Sequence, residues 1–242
     1  MVNIIAIETA LSACSVALSK QGEVMVLREQ KPRQHIRLVL PMVDKLLEDN
    51  GLSLDDLDAI GFSQGPGSFT GLRIGMGIVQ GLAFGADLPV VAVSTLQAMA
   101  QAAIDAGLLE AEQVVAPLID ARMDEVYWGI YKNTGGFAMA LQEDKLSSPE
   151  GVRAECIDAV AGKVSVGLGD GWQFKDRISL RPHRINDAVV MDAEQILRFT
   201  LEDFTRGLAV DVGELEPLYL RDQISWKKRQ RIREPDNDQV SQ

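Results

Sequence analysis

The chain opens with short apolar runs that are separated by polar turns. Residues 4–7 form an apolar run typical of a buried strand, residues 13–19 alternate between apolar and polar, and residues 23–29 form a third such segment. Strands that are joined by tight turns pair with their neighbours in the chain. This stretch therefore predicts a three-stranded antiparallel meander.

The next apolar pattern changes period and is the most informative part of the chain. Residues 59–63 and 88–93 are typical of strands, and the segment between them begins with Gly65-Pro66-Gly67, a strong turn signal. Ser68 or Thr70 can then cap a helix that continues to Gly85. The order strand, loop, helix, strand predicts a parallel crossover.

Residues 34–50 show helical periodicity, with Pro32 before the segment and Gly51 after it. At 100° per residue one apolar arc faces the core; its members are Ile36, Val39, Leu40, Val43, Leu46 and Leu47. Leu38 and Met42 are predicted beside that arc, near His35. This flank is either a partner surface or an ordinary set of exposed apolar side chains.

Glycines are unusually frequent in the helix that follows Ser68. Each glycine in a helix interior costs about 1 kcal/mol of stability relative to alanine. Several glycines in one helix therefore need an explanation. Gly77, Gly81 and Gly85 are four residues apart and form one bare stripe on the helix. The stripe packs either on the protein's own sheet or against a partner helix or a phosphate.

The second half of the chain begins with an apolar strand over residues 114–119. A turn that contains Asp120, Arg122 and Asp124 follows and leads into an alternating strand. The two carboxylates could serve acid–base or metal chemistry, but a solvated, ion-paired turn is the simpler interpretation.

Composition and charge limit the classes of function. The chain has 242 residues, 46% of them apolar, and a formal net charge of −11. An acidic surface argues against a general nucleic-acid platform, which needs clustered Lys and Arg. Cys14 and Cys156 do not form a disulfide framework, and we expect free thiols in a cytoplasmic protein. We also expect neither a secretory leader nor a membrane span.

Four segments together resemble the bacterial TsaB family, which is also called YeaZ. They are residues 65–73, 4–18, 117–131 and 217–228. The resemblance implies an α/β fold with two actin-like lobes of the sugar-kinase and Hsp70 type, and a nucleotide site that has degenerated. It also implies a role in making threonylcarbamoyladenosine on tRNA. We expect an N-terminal, partner-binding lobe over residues 1–106, a C-terminal lobe over 107–220 and a basic tail over 221–242.

The nucleotide machinery of such lobes is expected to be eroded here. The first turn carries Glu8 and Thr9 but lacks the glycine that lets backbone amides close on a phosphate. Glu8 could still help to hold hydrated Mg²⁺, but a simple turn is the favoured interpretation. Gly167 and Gly169 form a weak second nucleotide signal. We expect no firmly bound cofactor. The alternative is that ATP or ADP binds with Mg²⁺ at a subunit interface.

The spacing of the histidines does not predict a metal site. The related catalytic family, TsaD, binds its metal through two histidines four apart on a helix, but four residues after His35 this chain has Val39. A single imidazole is a poor metal site. We therefore expect His35 to be a surface or interface residue.

The basic tail contains Trp226 and six cationic residues: Arg221, Lys227, Lys228, Arg229, Arg231 and Arg233. It is either a solvated tail or a docking segment for the tRNA backbone or an acidic partner.

These features favour a non-catalytic scaffold subunit. By resemblance, it would bind the catalytic subunit TsaD through His35, Leu38, Met42, Arg73, Gly77, Gly81 and Gly85. With the ATPase TsaE, the complex would transfer threonylcarbamoyl from threonylcarbamoyl-AMP to the adenosine 3′ of the anticodon. Homodimerisation through the same helices is expected when TsaD is absent. The alternative is a free-standing enzyme, either a small-molecule kinase or a glycoprotease-like metallopeptidase.

Overall fold

The computed structural model describes residues 2–29, 35–153, 164–215 and 220, with only the backbone of His35 and Ile36. The first half contains strands β1 (Asn3–Glu8), β2 (Cys14–Lys20), β3 (Glu23–Glu29), β4 (Ala59–Gly65) and β5 (Val90–Ser94), and helices α1 (His35–Asp49), α2 (Phe69–Ala86) and α3 (Thr95–Asp105). The second half contains β6 (Val114–Arg122), β7 (Glu125–Trp128), β8 (Tyr131–Thr134), β9 (Phe137–Ala140), β10 (Lys145–Ser147), β11 (Val164–Leu168), β12 (Arg184–Asn186) and α4 (Ala193–Thr205).

The first sheet has the strand order β3-β2-β1-β4-β5. Strands β1, β2 and β3 pair antiparallel, as the meander pattern predicted, while β4 lies parallel to both β1 and β5. Helix α2 is the crossover between β4 and β5, because parallel neighbours cannot be joined by a tight turn. Ser68 caps α2 by accepting a hydrogen bond from the Gly71 amide at 3.2 Å.

Helices cover both faces of this sheet. Helices α1 and α2 bury apolar side chains against one face, which includes Ile5, Ile60 and Phe62. Helices α3 and α4 cover the opposite face and continue its core into the second sheet. Helix α4 begins at Asp192, whose Oδ1 accepts from the Glu194 amide at 2.7 Å. This is the cap that the sequence predicted.

The second sheet has the order β10-β7-β6-β11-β12, with β8 on β6 and β9 on β8. Its central pair, β6 and β11, is parallel, and β7 pairs antiparallel with β6. Two sheets, each with parallel and antiparallel strands and helical cover, give the two-lobed actin-like α/β fold that the resemblance implied.

One prediction for α1 is wrong in detail. Met42 is only 7% exposed and belongs to the core, whereas Leu40 is 42% exposed. The buried positions of α1 follow the spacing i, i+3, i+4, i+7 and i+8 that a helix packed on a sheet requires; they are Val39, Met42, Val43, Leu46 and Leu47. Leu40 lies at the edge of that arc, on the side of α2.

The division into lobes at residues 106 and 107 stays a prediction. Helix α4 follows the second sheet along the chain, yet it packs back onto β1, β2, β4 and β5 of the first sheet. The basic tail over residues 221–242 and Cys156 lie outside the described residues.

Candidate partner-binding site

A groove runs along the outer side of α2 and is bordered by α1. It has a volume of about 690 Å³ and is lined by Leu40, Phe69, Thr70, Arg73, Ile74, Gly77, Ile78, Gly81 and Leu82. Phe69 is 62% exposed. Apolar side chains that are exposed together in a concave surface are typical of a binding site rather than of ordinary surface scatter. We call this surface the α1–α2 groove.

The glycines of α2 divide into two sets with opposite surroundings. A β-carbon on Gly71 would lie 2.0 Å from the Thr9 carbonyl oxygen, and one on Gly75 would lie 2.2 Å from Thr9 Oγ1. At Gly77, Gly81 and Gly85 a β-carbon would meet no atom within 4 Å. The inward set lets α2 approach the β1–β2 turn. We call the outward set the open stripe. It does not face the protein's own sheet, so the alternative in which this stripe packs on that sheet is wrong.

Arg73 lies next to the open stripe, one helical turn before Gly77. Its guanidinium carbon is 3.7 Å from the centroid of the Phe69 ring, a cation–π contact. Because the two residues are four apart on α2, they stack on one face of the helix. The stack holds a cationic group at the N-terminal end of an otherwise apolar groove.

The predicted partner-binding residues do not all lie in this groove. Arg73, Gly77 and Gly81 line it. Leu38 is half-buried against the core, Met42 is buried, and the side chain of His35 lies outside the described residues. Gly85 is exposed one turn beyond Gly81. Whether any of these residues contacts a partner stays a prediction.

Several lining residues were missed by the sequence reasoning. Leu40 was assigned to the core, and Phe69, Ile74, Ile78 and Leu82 were not singled out. Phe84, which is 82% exposed but does not line the groove, was not singled out either. The regular spacing Phe69, Arg73, Gly77, Gly81 and Gly85 was the available signal, because residues four apart share one helix face.

The first turn places Glu8 in the protein interior. Glu8 is 2% exposed, and its Oε1 accepts hydrogen bonds from the amides of Ala10 at 2.6 Å and Leu11 at 3.1 Å. Burial raises the pKa of Glu8 to about 7, although the neighbouring Ser63 hydroxyl and the two amides lower it in part. Neither Glu8 Oε2 nor Ser63 Oγ has a hydrogen-bond partner of good geometry among the described residues.

The backbone groups of the first turn are largely engaged within the protein. Two amides that a phosphate-binding turn would direct at its ligand already donate to Glu8, and Ala10 O accepts from the Ser68 amide at 2.7 Å. The Thr9 hydroxyl donates to Gly71 O at 2.9 Å. Most donors and acceptors of the turn are therefore engaged within the protein, whereas Glu8 Oε2 and Ser63 Oγ are not. A nucleotide or Mg²⁺ contact at Glu8 and Thr9 stays a prediction.

Gly167 and Gly169 also have internal neighbours. A β-carbon on Gly167 would lie 2.5 Å from the Trp172 ring, and one on Gly169 would lie 2.3 Å from Leu118 O. Trp172 is held in place by donating from Nε1 to Ala116 O at 3.0 Å. Close packing between β6, β11 and the turn after β11 therefore accounts for these glycines, and a nucleotide contact here stays a prediction.

The acidic turn after β6 is ion-paired. Arg122 contacts Asp120 at 3.0 Å, and Arg177 donates to both oxygens of Asp124. The Arg177 guanidinium lowers the pKa of Asp124. The interpretation as an ion-paired turn is confirmed, and of its two carboxylates Asp124 is exposed whereas the Asp120 side chain is only 11% exposed.

The described part of the chain contains no group of three or more His, Cys, Asp or Glu residues that could hold a metal ion. None of its helices combines the length and apolar character needed to cross a membrane.

Known proteins match this sequence over nearly its whole length. A family model described as "TsaD: tRNA N6-adenosine threonylcarbamoyltransferase" matches residues 25–161. The tRNA threonylcarbamoyladenosine biosynthesis protein TsaB of Escherichia coli is 42% identical over 228 residues, which cover 93% of this chain and 97% of that protein. The TsaB protein of Haemophilus influenzae is 38% identical over 233 residues, with 93% and 96% covered.

Solved structures agree with the sequence matches. The structure of YeaZ from Pseudomonas aeruginosa has a TM-score of 0.82 at 40% identity and covers 91% of this chain and 100% of that one. A second Pseudomonas aeruginosa structure, described as an uncharacterised protein with similarity to the peptidase YeaZ, has a TM-score of 0.84 at 41% identity, with the same coverage. The chain therefore belongs to the TsaB (YeaZ) family of tRNA threonylcarbamoyladenosine biosynthesis proteins, within the wider group that the threonylcarbamoyltransferase model describes.

Proposed function

We propose that this chain is a non-catalytic subunit that binds a TsaD-family threonylcarbamoyltransferase through the α1–α2 groove. The bound enzyme would transfer threonylcarbamoyl from threonylcarbamoyl-AMP to the tRNA adenosine 3′ of the anticodon. The observation that carries the proposal is the open stripe: a β-carbon on any of its three glycines would meet no atom within 4 Å, and two of them, Gly77 and Gly81, line an apolar groove. Family membership supplies the kind of partner.

A helix is the partner element that the groove fits best. Rows of small residues spaced by four let two helix backbones approach more closely than larger side chains allow. In water, the exposed apolar lining adds a driving force, because association removes it from solvent. Phe69 and Leu40 would be the apolar anchors of the interface.

The chemistry of the described residues supports the proposed non-catalytic role. Phosphoryl transfer and hydrolysis both need donors, a base or a metal within hydrogen-bond reach of the substrate. Two amides of the first turn donate to Glu8, and the described ranges hold no cluster of His, Cys, Asp or Glu that could bind a metal. The second carboxylate-rich site, at Asp120 and Asp124, is engaged with arginines.

The proposal includes further partners that the family resemblance implied. The ATPase TsaE would join the complex, tRNA would be bound through the complex, and a second copy of this chain would occupy the groove when the transferase is absent. The setting would be the cytoplasm, where tRNA is modified.

Reconstitution tests the proposal directly. The chain would be combined with the TsaD and TsaE homologues of the same source, tRNA and threonylcarbamoyl-AMP, and the modified nucleoside measured by mass spectrometry. We expect product only when the chain is present, and none from the chain alone. Full activity without the chain would overturn the proposal, as would ATP turnover or metal-dependent hydrolysis by the chain alone.

A further inference from the structure

Arg73 is the one charged residue among the described residues that line the α1–α2 groove. It is exposed, it stacks on Phe69, and no carboxylate in the described ranges forms an ion pair with it. We propose that the partner presents an Asp or Glu carboxylate to Arg73, and that this pair sets the register of the partner helix on α2. The inference rests on the proposed function, because it concerns the occupant of the same groove.

The chemistry of the guanidinium favours a carboxylate. A guanidinium that lies over an aromatic ring can still donate from the N–H groups at its edge, in a planar fork that matches a carboxylate. A partner that covers the groove must remove water from Arg73, and a desolvated charge is costly unless it is paired. A purely apolar partner surface would leave that charge unpaired.

The position of Arg73 supports a register role. Phe69, Arg73, Gly77 and Gly81 recur every fourth residue, so the cation and the open stripe lie on one line along α2. The stripe itself is uniform, and a helix could slide along it by one turn. A single charge at the N-terminal end of the line favours one register of the partner helix over the others, as charged pairs do at other helix interfaces.

A nucleic-acid phosphate would also pair with an arginine, but the surroundings of Arg73 argue against it. Phosphate backbones are bound by clusters of Lys and Arg, whereas the remaining lining of this groove is uncharged. The chain as a whole has a net charge of −11. A protein carboxylate fits a single cation in an apolar groove better.

The test measures the affinity for the TsaD-family partner from the same source at several NaCl concentrations. We expect Arg73→Gln to bind roughly 30-fold more weakly at low salt and to lose most of the salt dependence. Arg73→Lys should retain the salt dependence. Arg206→Gln is the matched control, because it removes a largely exposed cation outside the groove and should bind like wild type. Arg73→Glu should bind more weakly still, and one Asp→Lys or Glu→Lys variant of the partner should restore its binding.

Each other outcome has a distinct meaning. If Arg73→Gln binds like wild type with unchanged salt dependence, while Gly81→Leu does not bind, the inference fails and the proposed function stands. If wild type itself does not bind the partner, both fail. If Arg73→Gln binds the partner normally but the assembled complex loses affinity for tRNA, the inference is overturned in favour of a phosphate contact.

Discussion

Thr9 lies directly against the inner face of α2 at Gly75, where a β-carbon would approach Thr9 Oγ1 to 2.2 Å. The same hydroxyl donates to Gly71 O at 2.9 Å, so it has no freedom to move aside without breaking that bond. Half a turn further along, Gly77 faces open space. Glycines that look alike in the sequence are thus required for different reasons.

This contrast predicts opposite effects on stability. Gly75→Ala should lower the free energy of unfolding by about 1–3 kcal/mol, because it overpacks the contact with Thr9. Gly77→Ala should raise it by about 0.5–1 kcal/mol, because alanine favours the helix and nothing obstructs its methyl group. Urea denaturation of the two variants and the wild type checks both signs. Equal destabilisation by the two substitutions would contradict the division of the glycines.

Met42 and Leu40 provide a second matched pair. Met42→Ala should cost about 2–5 kcal/mol of stability, because it opens a cavity in the core. Leu40→Ala should change stability by less than about 0.5 kcal/mol, because Leu40 is 42% exposed. The same leucine substitution should weaken partner binding measurably by titration calorimetry. A strongly destabilised Leu40→Ala variant would show that Leu40 belongs to the core and would contradict this prediction.

Glu8 should make the stability depend on pH. Its pKa is raised from an ordinary value of 4.5 to about 7, chiefly by burial. The folded chain therefore holds this proton more tightly than the unfolded chain does. The contribution of Glu8 to stability is fully present below pH 4.5 and is lost as pH rises through about 7. The loss is on the order of 3 kcal/mol.

The variant Glu8→Gln isolates this effect. Its amide oxygen can still accept from the amides of Ala10 and Leu11, but it cannot ionise. We expect denaturant unfolding of the variant to show a much flatter dependence on pH than that of the wild type. A residual slope of the same sign is expected from Asp144, whose pKa is also raised by burial. Identical slopes for the two proteins would show that Glu8 does not titrate in this range.

The sequence predicted much of the fold because its local patterns and its tertiary contacts agree. The meander, the crossover helix capped by Ser68 and the cap at Asp192 all follow from alternation, periodicity and side-chain oxygens at helix starts. The sequence analysis placed Leu40 in the core and Met42 beside it, the reverse of what the structure shows. A helical wheel gives the direction of each side chain around the helix axis but not the position of the neighbouring helix. Leu40 lies at the border of α2, and that border is set by contacts distant in sequence.

The candidate site could be predicted only in part. The spacing of Gly77, Gly81 and Gly85 showed a bare stripe, yet it could not show which side of α2 faces the sheet. That depends on Gly71 and Gly75 meeting Thr9, which is more than sixty residues away. Likewise, the absence of a glycine from the first turn predicted an eroded phosphate site. The sequence could not show that two backbone amides of this turn donate hydrogen bonds to Glu8.

The open stripe should be dispensable for folding and essential for assembly. Gly81→Leu replaces a hydrogen with a side chain that points into the groove, and leucine is the better helix former, so the variant should be at least as stable as wild type. Gln80→Leu is the matched control, because it adds an exposed leucine to the same helix outside the groove.

Size-exclusion chromatography with light scattering, with and without the TsaD-family partner from the same source, tests the central claim most directly. We predict a complex with the partner for wild type and Gln80→Leu, and a folded but unbound Gly81→Leu. A complex that forms equally well with Gly81→Leu, or no complex with wild type, would contradict the assignment of the α1–α2 groove as the partner-binding site.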